Sequence, residues 1–370
     1  MGPYMTELTC GERVVRCFIG EDIDRVPFGV GLGWDPWGET LDHFRAQSGI
    51  VNLDLREYFK LDKSFALPDV HYGIYPEFEP LVLEETPEFI IHRDGRGITM
   101  RDRRDSGSMP EWLDYPVKTN DDWERLKSDR LRPGDPGRTA IDWDAFRARL
   151  NETGEAVQVG VFPYGVFGTP RDLLGVEELL ISFYERPALV KDMMQHLTSV
   201  WLAVWERVAN EVPISHIHIW EDMSGKAGSL ISPKMVREFM MPCYDRIVDF
   251  AHAHGVRVIS VDTDGDCSQL IPVFMQHGIN MMFPFEVQAG NDVREFRQHY
   301  PTLGIMGGLD KRALAASHVD VDREVQKAVD MVRCGRYVPS FDHLIPPDAT
   351  WDNYRYAVAR LRQVCWGAST

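Results

Sequence analysis

Short apolar segments that end in charged residues recur through the second half of the chain: HIHIWED, VRVISVDTD, NMMFPFE, GIMGGLD and YVPSFDH. Each starts as a β-strand would and stops where polar side chains begin, with helix-like sequence before the next, at intervals of roughly 20–40 residues. Strands that alternate with helices build a parallel sheet, and parallel strands bring their carboxyl ends to one rim. The pattern therefore constrains the fold and the place of the chemistry together. It gathers Glu221, Asp262, Asp264, Glu286, Asp310 and His343 toward one pocket, which makes an enzyme the first expectation.

The strands read as Val157 to Phe162, Ile214 to Trp220, Val256 to Val261, Asn280 to Phe283, Gly304 to Met306 and Tyr337 to Pro339. Between them lie helices from Leu173 to Tyr184, from Pro187 to Val208 and from the cap Ser232-Pro233 to His254, the last with a kink expected at Pro242. The first 150 residues are less regular. Glu88 to Arg93 and Ile98 to Arg101, joined through Asp94-Gly95-Arg96-Gly97, form a hairpin pattern, and Pro27 to Val30 reads as the first barrel strand. The fold expected is an α/β (β/α)8 TIM barrel formed as one domain over 1–370, with 1–150 supplying N-terminal loops, the hairpin and the first strands.

Charge narrows the partners. Forty basic against fifty-seven acidic residues leave a net charge of -17, which repels nucleic acid and anionic membrane surfaces. The N-terminus lacks the apolar stretch of a signal peptide, and no window approaches a spanning helix, so a cytoplasmic protein is expected. Six dispersed cysteines with no CxxC pair read as free thiols, Cys267 as a small helix-start residue.

Asp262 and Asp264 follow the strand directly, and side chains two apart in extended backbone face one side, where a carboxylate pair binds a cation or shares a proton. The same DTDGD run also suits a turn and helix cap. His343 comes just after the final strand; near carboxylates it serves as a general acid or completes a metal site. With Glu286 or Glu221 as further ligand, the oxygen-rich set of Asp262, Asp264 and His343 would take zinc or another divalent metal. Glu221 and Glu286 each suit a helix cap or a substrate contact equally well. Phe162, Tyr164, Trp34, Trp37 and Phe285 are candidates to line a partly apolar substrate pocket, with Asp310 as a polar contact. His216 and His218, two apart in their strand with Trp220, read as structural.

Several stretches carry a family resemblance: SLISPKMVREFMMPCYDRIVDFAHAHGVRVISVDTDGD, GINMMFPFEVQAGNDVREFRQHYP, IMGGLDKRAL and SFDHLIPPDATWDNYRYAV. With YPVKTNDDWERLK and FGTPRDLLGVEELLISFYERPALV, the chain resembles the uroporphyrinogen decarboxylase superfamily from about residue 80 onward, a group that includes cobalamin-dependent methyltransferases. The resemblance implies the barrel and a site at its carboxyl rim. In the methyltransferase branch a His-x-Cys pair and a later Cys bind zinc; Asp262, Asp264 and His343 stand at those places here, so the sulfur ligands are replaced. In the decarboxylase branch an arginine-rich N-terminal segment holds porphyrinogen carboxylates, and VPFGVGLGWDPW has no arginine after Arg25. Against an acidic rim, a polyanionic tetrapyrrole is an unsuitable substrate.

The activity expected is that of a methyltransferase-like enzyme acting on a small uncharged or cationic substrate, with a metal or acid at the rim and a corrinoid supplied by a partner protein. The alternative is a cofactor-independent decarboxylase or lyase acting on a substrate other than uroporphyrinogen. Family members are often dimers, which makes a homodimer the expected assembly.

Overall fold

The computed structural model describes residues 7–63, 65–104 and 109–367. Strand β1 (Phe65–Ala66) leads into an antiparallel sheet of β2 (Leu81–Glu85), β3 (Phe89–Arg93), β4 (Thr99–Arg103) and β5 (Glu111–Asp114), in the order β2-β3-β4-β5. The expected hairpin is its centre, with Phe89 opposite Arg103 and Arg93 opposite Thr99. After β6 (Ala156–Val159) and β7 (Ile214–Trp220) a short ribbon, β8 (Ser224–Gly225) and β9 (Gly228–Ser229), precedes β10 (Val258–Thr263), β11 (Met281–Pro284), β12 (Gly304–Met306) and β13 (Tyr337–Val338). Strands β1-β6-β7-β10-β11-β12-β13 form one curled parallel sheet with helices outside it, a TIM-like α/β architecture.

The ladder has seven strands among the described residues, and Pro27–Val30 is not one of them. This corrects its reading as the first barrel strand. Pro27 has no N–H, and Gly29 and Gly31 take positive φ of 79° and 98°, so the backbone cannot run extended there. The segment still lies between β13 and β1. Val30 is buried with Met306 and Val338, and the Phe28 carbonyl accepts the Asp62 N–H at 2.8 Å, three residues before β1.

One end of the barrel is stoppered. Thr9 and Glu12 form a reciprocal capping box that starts the helix Cys10–Ile19, and Gly20 ends it in the left-handed conformation. Val14, Val15, Cys17 and Phe18 of this helix are buried with Ala156, Val258 and Met281, the first residues of β6, β10 and β11, and with Met306 and Val338 of the short strands β12 and β13. Access is thereby left to the carboxyl end. The helix sits so close that a Cβ on Gly11 would lie 2.3 Å from the Ala156 nitrogen. Gly11→Ala is therefore expected to destabilise the fold by about 1–3 kcal/mol, read as a lower urea midpoint with an unchanged m-value.

The long helix Pro187–Glu211 buries Val190, Met193, Met194, Leu197, Val200, Trp201 and Val204 as its spacing implies. At the expected kink, a π-turn over Val236–Met240 precedes Met241–Ala253, with Pro242 in that helix's first turn. All six cysteines are unpaired, and Cys267 is buried with its thiol pushed up to about 12 by burial. Among the described residues no helix is long and apolar enough to cross a membrane.

Candidate active site at the barrel mouth

Strand parity decides which side chains enter the barrel. His216, His218 and Ser260 meet inside it, so Trp220 and Asp262, two residues beyond, turn to the same side. The parallel register pairs Asp262 with Trp220 on one flank and Phe283 on the other, making a single rung of one carboxyl between two aromatic rings. Phe162 stands at the rim with its ring 4.7 Å from that of Trp220, edge to face, and remains 62% exposed. The Arg171 guanidinium lies 4.7 Å from the Trp220 ring and pairs with Asp222 at 2.8 Å.

Above this rung the polar groups converge. His343 Nε2 is 3.6 Å from Asp264 Oδ2, the Gly265 N–H donates to Glu286 at 3.0 Å, and Lys311 Nζ lies 3.9 Å from Glu286 Oε1. Asp342 is buried and does not enter the site itself: its carboxylate accepts the N–H groups of Val287 and Lys311 at 2.8 and 3.1 Å. Those two bonds tie three loops together, which fixes the next residue, His343, against Asp264.

Burial and like charge set the protonation states. Asp262 opens onto the well yet is surrounded by protein, and burial, then Asp264 and Asp222, hold its carboxyl well above the usual carboxylate range. Asp264 is pushed up to about 7 by burial, Glu286 and Asp222, with Lys311 opposing and Asp342 adding. The His343 imidazole is lowered by burial and by Lys311, against the pull of Glu286 and Asp222. The raised carboxyl and the lowered imidazole both disfavour an ion pair between Asp264 and His343 near neutral pH. Lys311→Met removes the one ammonium opposing these carboxylates; the pKa of His343, followed by NMR titration, is expected to rise in the variant.

Of the residues singled out from the sequence, Asp262, Asp264, Glu286 and His343 come together, with Phe162 at the edge. The others lie elsewhere. Glu221 is fully buried on the outer side of β7, where it accepts the N–H groups of Val166, Phe167 and Gly168 and the Tyr244 hydroxyl. Burial raises its pKa to about 7 in spite of those donors. Asp310 caps the turn Lys311–Leu314 and pairs with Arg312 at 2.6 Å. Trp34 is core, its indole N–H donating to the Pro339 carbonyl, and Phe285 is buried against Phe296. Tyr164 lines a small void with Arg96, Asp172 and Leu173, and the half-buried Trp37 bonds through its backbone to Ile345. Asp222 and Lys311, which do face the site, escaped the sequence reading, although each directly follows a residue that was chosen.

Among the described residues no three His, Cys, Asp or Glu side chains are grouped to hold an ion, and the Lys311 ammonium already faces Asp264, Glu286 and His343. These residues can carry out proton transfer.

With the geometry in place, the comparisons agree with it. The family model described as uroporphyrinogen decarboxylase (URO-D) matches residues 91–364, and the chain belongs to that family. Among solved structures, a methyltransferase from Methanosarcina mazei matches with a TM-score of 0.58 at 15% identity, covering 96% of this chain and 99% of that one, a likeness of fold. No curated protein matches.

Proposed function

We propose that this chain transfers a methyl group from a small uncharged methylated compound to a corrinoid carried by a partner protein, with Asp264 as the acid that protonates the leaving heteroatom. One observation carries the reading: at the mouth, two carboxyls that burial shifts toward the protonated form stand among aromatic rings, with the His343 imidazole, which burial shifts toward the neutral form, 3.6 Å from Asp264. Phe162, Trp220 and Phe283 offer flat apolar surface to the substrate body, which excludes water from the reacting bond. The corrinoid supplies the electron pair that takes the methyl group. As the carbon–heteroatom bond breaks, its electrons stay on the heteroatom, which receives the proton of Asp264; His343, one third exposed, then passes a solvent proton back to the carboxylate.

The Methanosarcina mazei protein of the same fold is a methyltransferase, which supports this choice within the family. A carboxylated substrate is less suitable, because Asp222 and Glu286 would face its carboxylate. The test supplies the purified chain with a reduced corrinoid protein and a panel of methyl aryl ethers, and follows demethylated product by mass spectrometry. Product that requires the corrinoid is expected. Carbon dioxide released from a carboxylated compound without corrinoid would overturn the proposal in favour of decarboxylation.

A further inference from the structure

Below the rung of Asp262 lies a polar chain that the acid chemistry leaves unused. His216 Nε2 is 2.7 Å from Ser260 Oγ, and the same oxygen is 3.1 Å from His218 Nδ1. Aromatic contacts fix both imidazoles: His216 lies against Phe65 with centroids 4.4 Å apart, and His218 stacks on Phe283 at 5.3 Å and 26°. One hydroxyl has one proton to give, and the buried Ser260 Oγ has no other acceptor for it among the described residues, so Ser260 donates to one histidine and accepts from the other.

The outer nitrogens decide which. His216 Nδ1 is buried without a partner, and a buried N–H with no acceptor is rarer and costlier than a bare lone pair. His216 therefore carries its proton on Nε2 and donates it to Ser260, and Ser260 donates to His218 Nδ1. That leaves the His218 proton on Nε2. Burial lowers both imidazoles, His218 to about 4, so neither takes a second proton near neutrality. The chain ends at His216 Nδ1, so it fixes a tautomer and conducts nothing. His218 Nε2 has no protein partner among the described residues and, unlike His216 Nδ1, is not sealed from accessible space.

We infer that His218 presents a neutral Nε2–H donor at the floor of the site, and that the substrate accordingly carries a neutral acceptor atom of the ether or carbonyl class on a flat apolar body. The substrate class rests on the reading of the mouth as a substrate site; the tautomer does not. Two neutral donors, this N–H and the carboxyl of Asp262 one rung above, would then face the same acceptor.

Long-range proton–nitrogen correlation spectra of the full chain labelled with nitrogen-15 test the tautomer, with Nε2–H expected for His218 and a mixture of tautomers in Ser260→Ala. A His218 protonated on Nδ1 in the wild type would overturn the assignment. For the ligand class the probes are anisole and its oxygen-free isostere ethylbenzene, without any methyl acceptor. Wild type is expected to bind anisole about tenfold more tightly, with a shift at His218 Nε2; His218→Phe should lose the preference and His218→Gln recover part of it. Equal affinity for the two probes in the wild type would refute the ligand class. Anisole bound through His218 while no compound of the panel is demethylated would instead refute methyl transfer and leave this inference standing.

Discussion

Asp264→Asn is expected to cut turnover by about 10²–10⁴-fold, the usual contribution of a positioned acid, while making the folded chain more stable above neutral pH. The two effects share one cause. The Asp264 carboxyl is pushed up to about 7 by burial and by Glu286 and Asp222, with Asp342 adding, Lys311 opposing and His343 in contact. A carboxyl with a folded-state pKa above its unfolded value penalises the folded state when it ionises, so stability falls as pH rises from about 4 through 7. Asparagine cannot ionise; with one third of the side chain exposed, a gain of about 1–2 kcal/mol at pH 8 is expected after screening. Wild-type activity should decline as pH rises through about 7, because the working form is the protonated one. Urea denaturation at pH 5 and pH 8 together with the pH–rate profile checks both halves. A variant that turns over normally would remove Asp264 from the mechanism, and a stability difference that does not grow with pH would contradict its protonation.

Parity explains which site residues the sequence revealed. The strand continues past Val261 to Thr263, so Asp262 lies in it and Asp264, two residues on, directly follows its end on the same side, and both were legible. The segments WED and LDK each present a pair of neighbours, one that accepts from the start of a helix or turn and one that faces the mouth. In both, the residue chosen from the sequence was the acceptor: Glu221 serves Gly168–Leu174 and Asp310 serves Lys311–Leu314, while Asp222 and Lys311 face the site. For WED the signal was present. His216, His218 and Trp220 share a face, so Glu221 had to turn away from it. For LDK no alternation was available, because β12 ends at Met306 and Gly307 and Gly308 bend the chain before Leu309.

Aromatic residues were less legible than acids. A Trp or Phe at a strand end gives the same pattern whether it lines a pocket or fills the core, and only packing separated Phe162 at the rim from Trp34 and Phe285 inside. The fold class followed from strand–helix alternation, which is a local signal. The closure of the barrel did not, because the chain between β13 and β1 is held by burial of Val30 and by Asp62, contacts between residues distant in sequence.

Glu221→Ala should destabilise the protein by about 3–5 kcal/mol, the largest expected effect on stability in this chain. Alanine would strand the N–H groups of Val166, Phe167 and Gly168 and the Tyr244 hydroxyl in a region that water does not reach. Glu221→Gln should cost less, about 1–3 kcal/mol, because one oxygen remains. It cannot be neutral: Phe167 and Gly168 both donate to Oε2 while Val166 and Tyr244 donate to Oε1, so an amide NH2 opposes at least one backbone donor in either orientation. The loss should also reach the mouth, since the same contact clamps the loop of Gly165, where a Cβ would lie 1.7 Å from the Trp220 carbonyl, against the end of β7 that carries Trp220 and Asp222. Urea midpoints decide the matter. A Glu221→Ala protein as stable as wild type but inactive would mean that this carboxylate works in the reaction after all, and that the buried helix start finds its partners elsewhere.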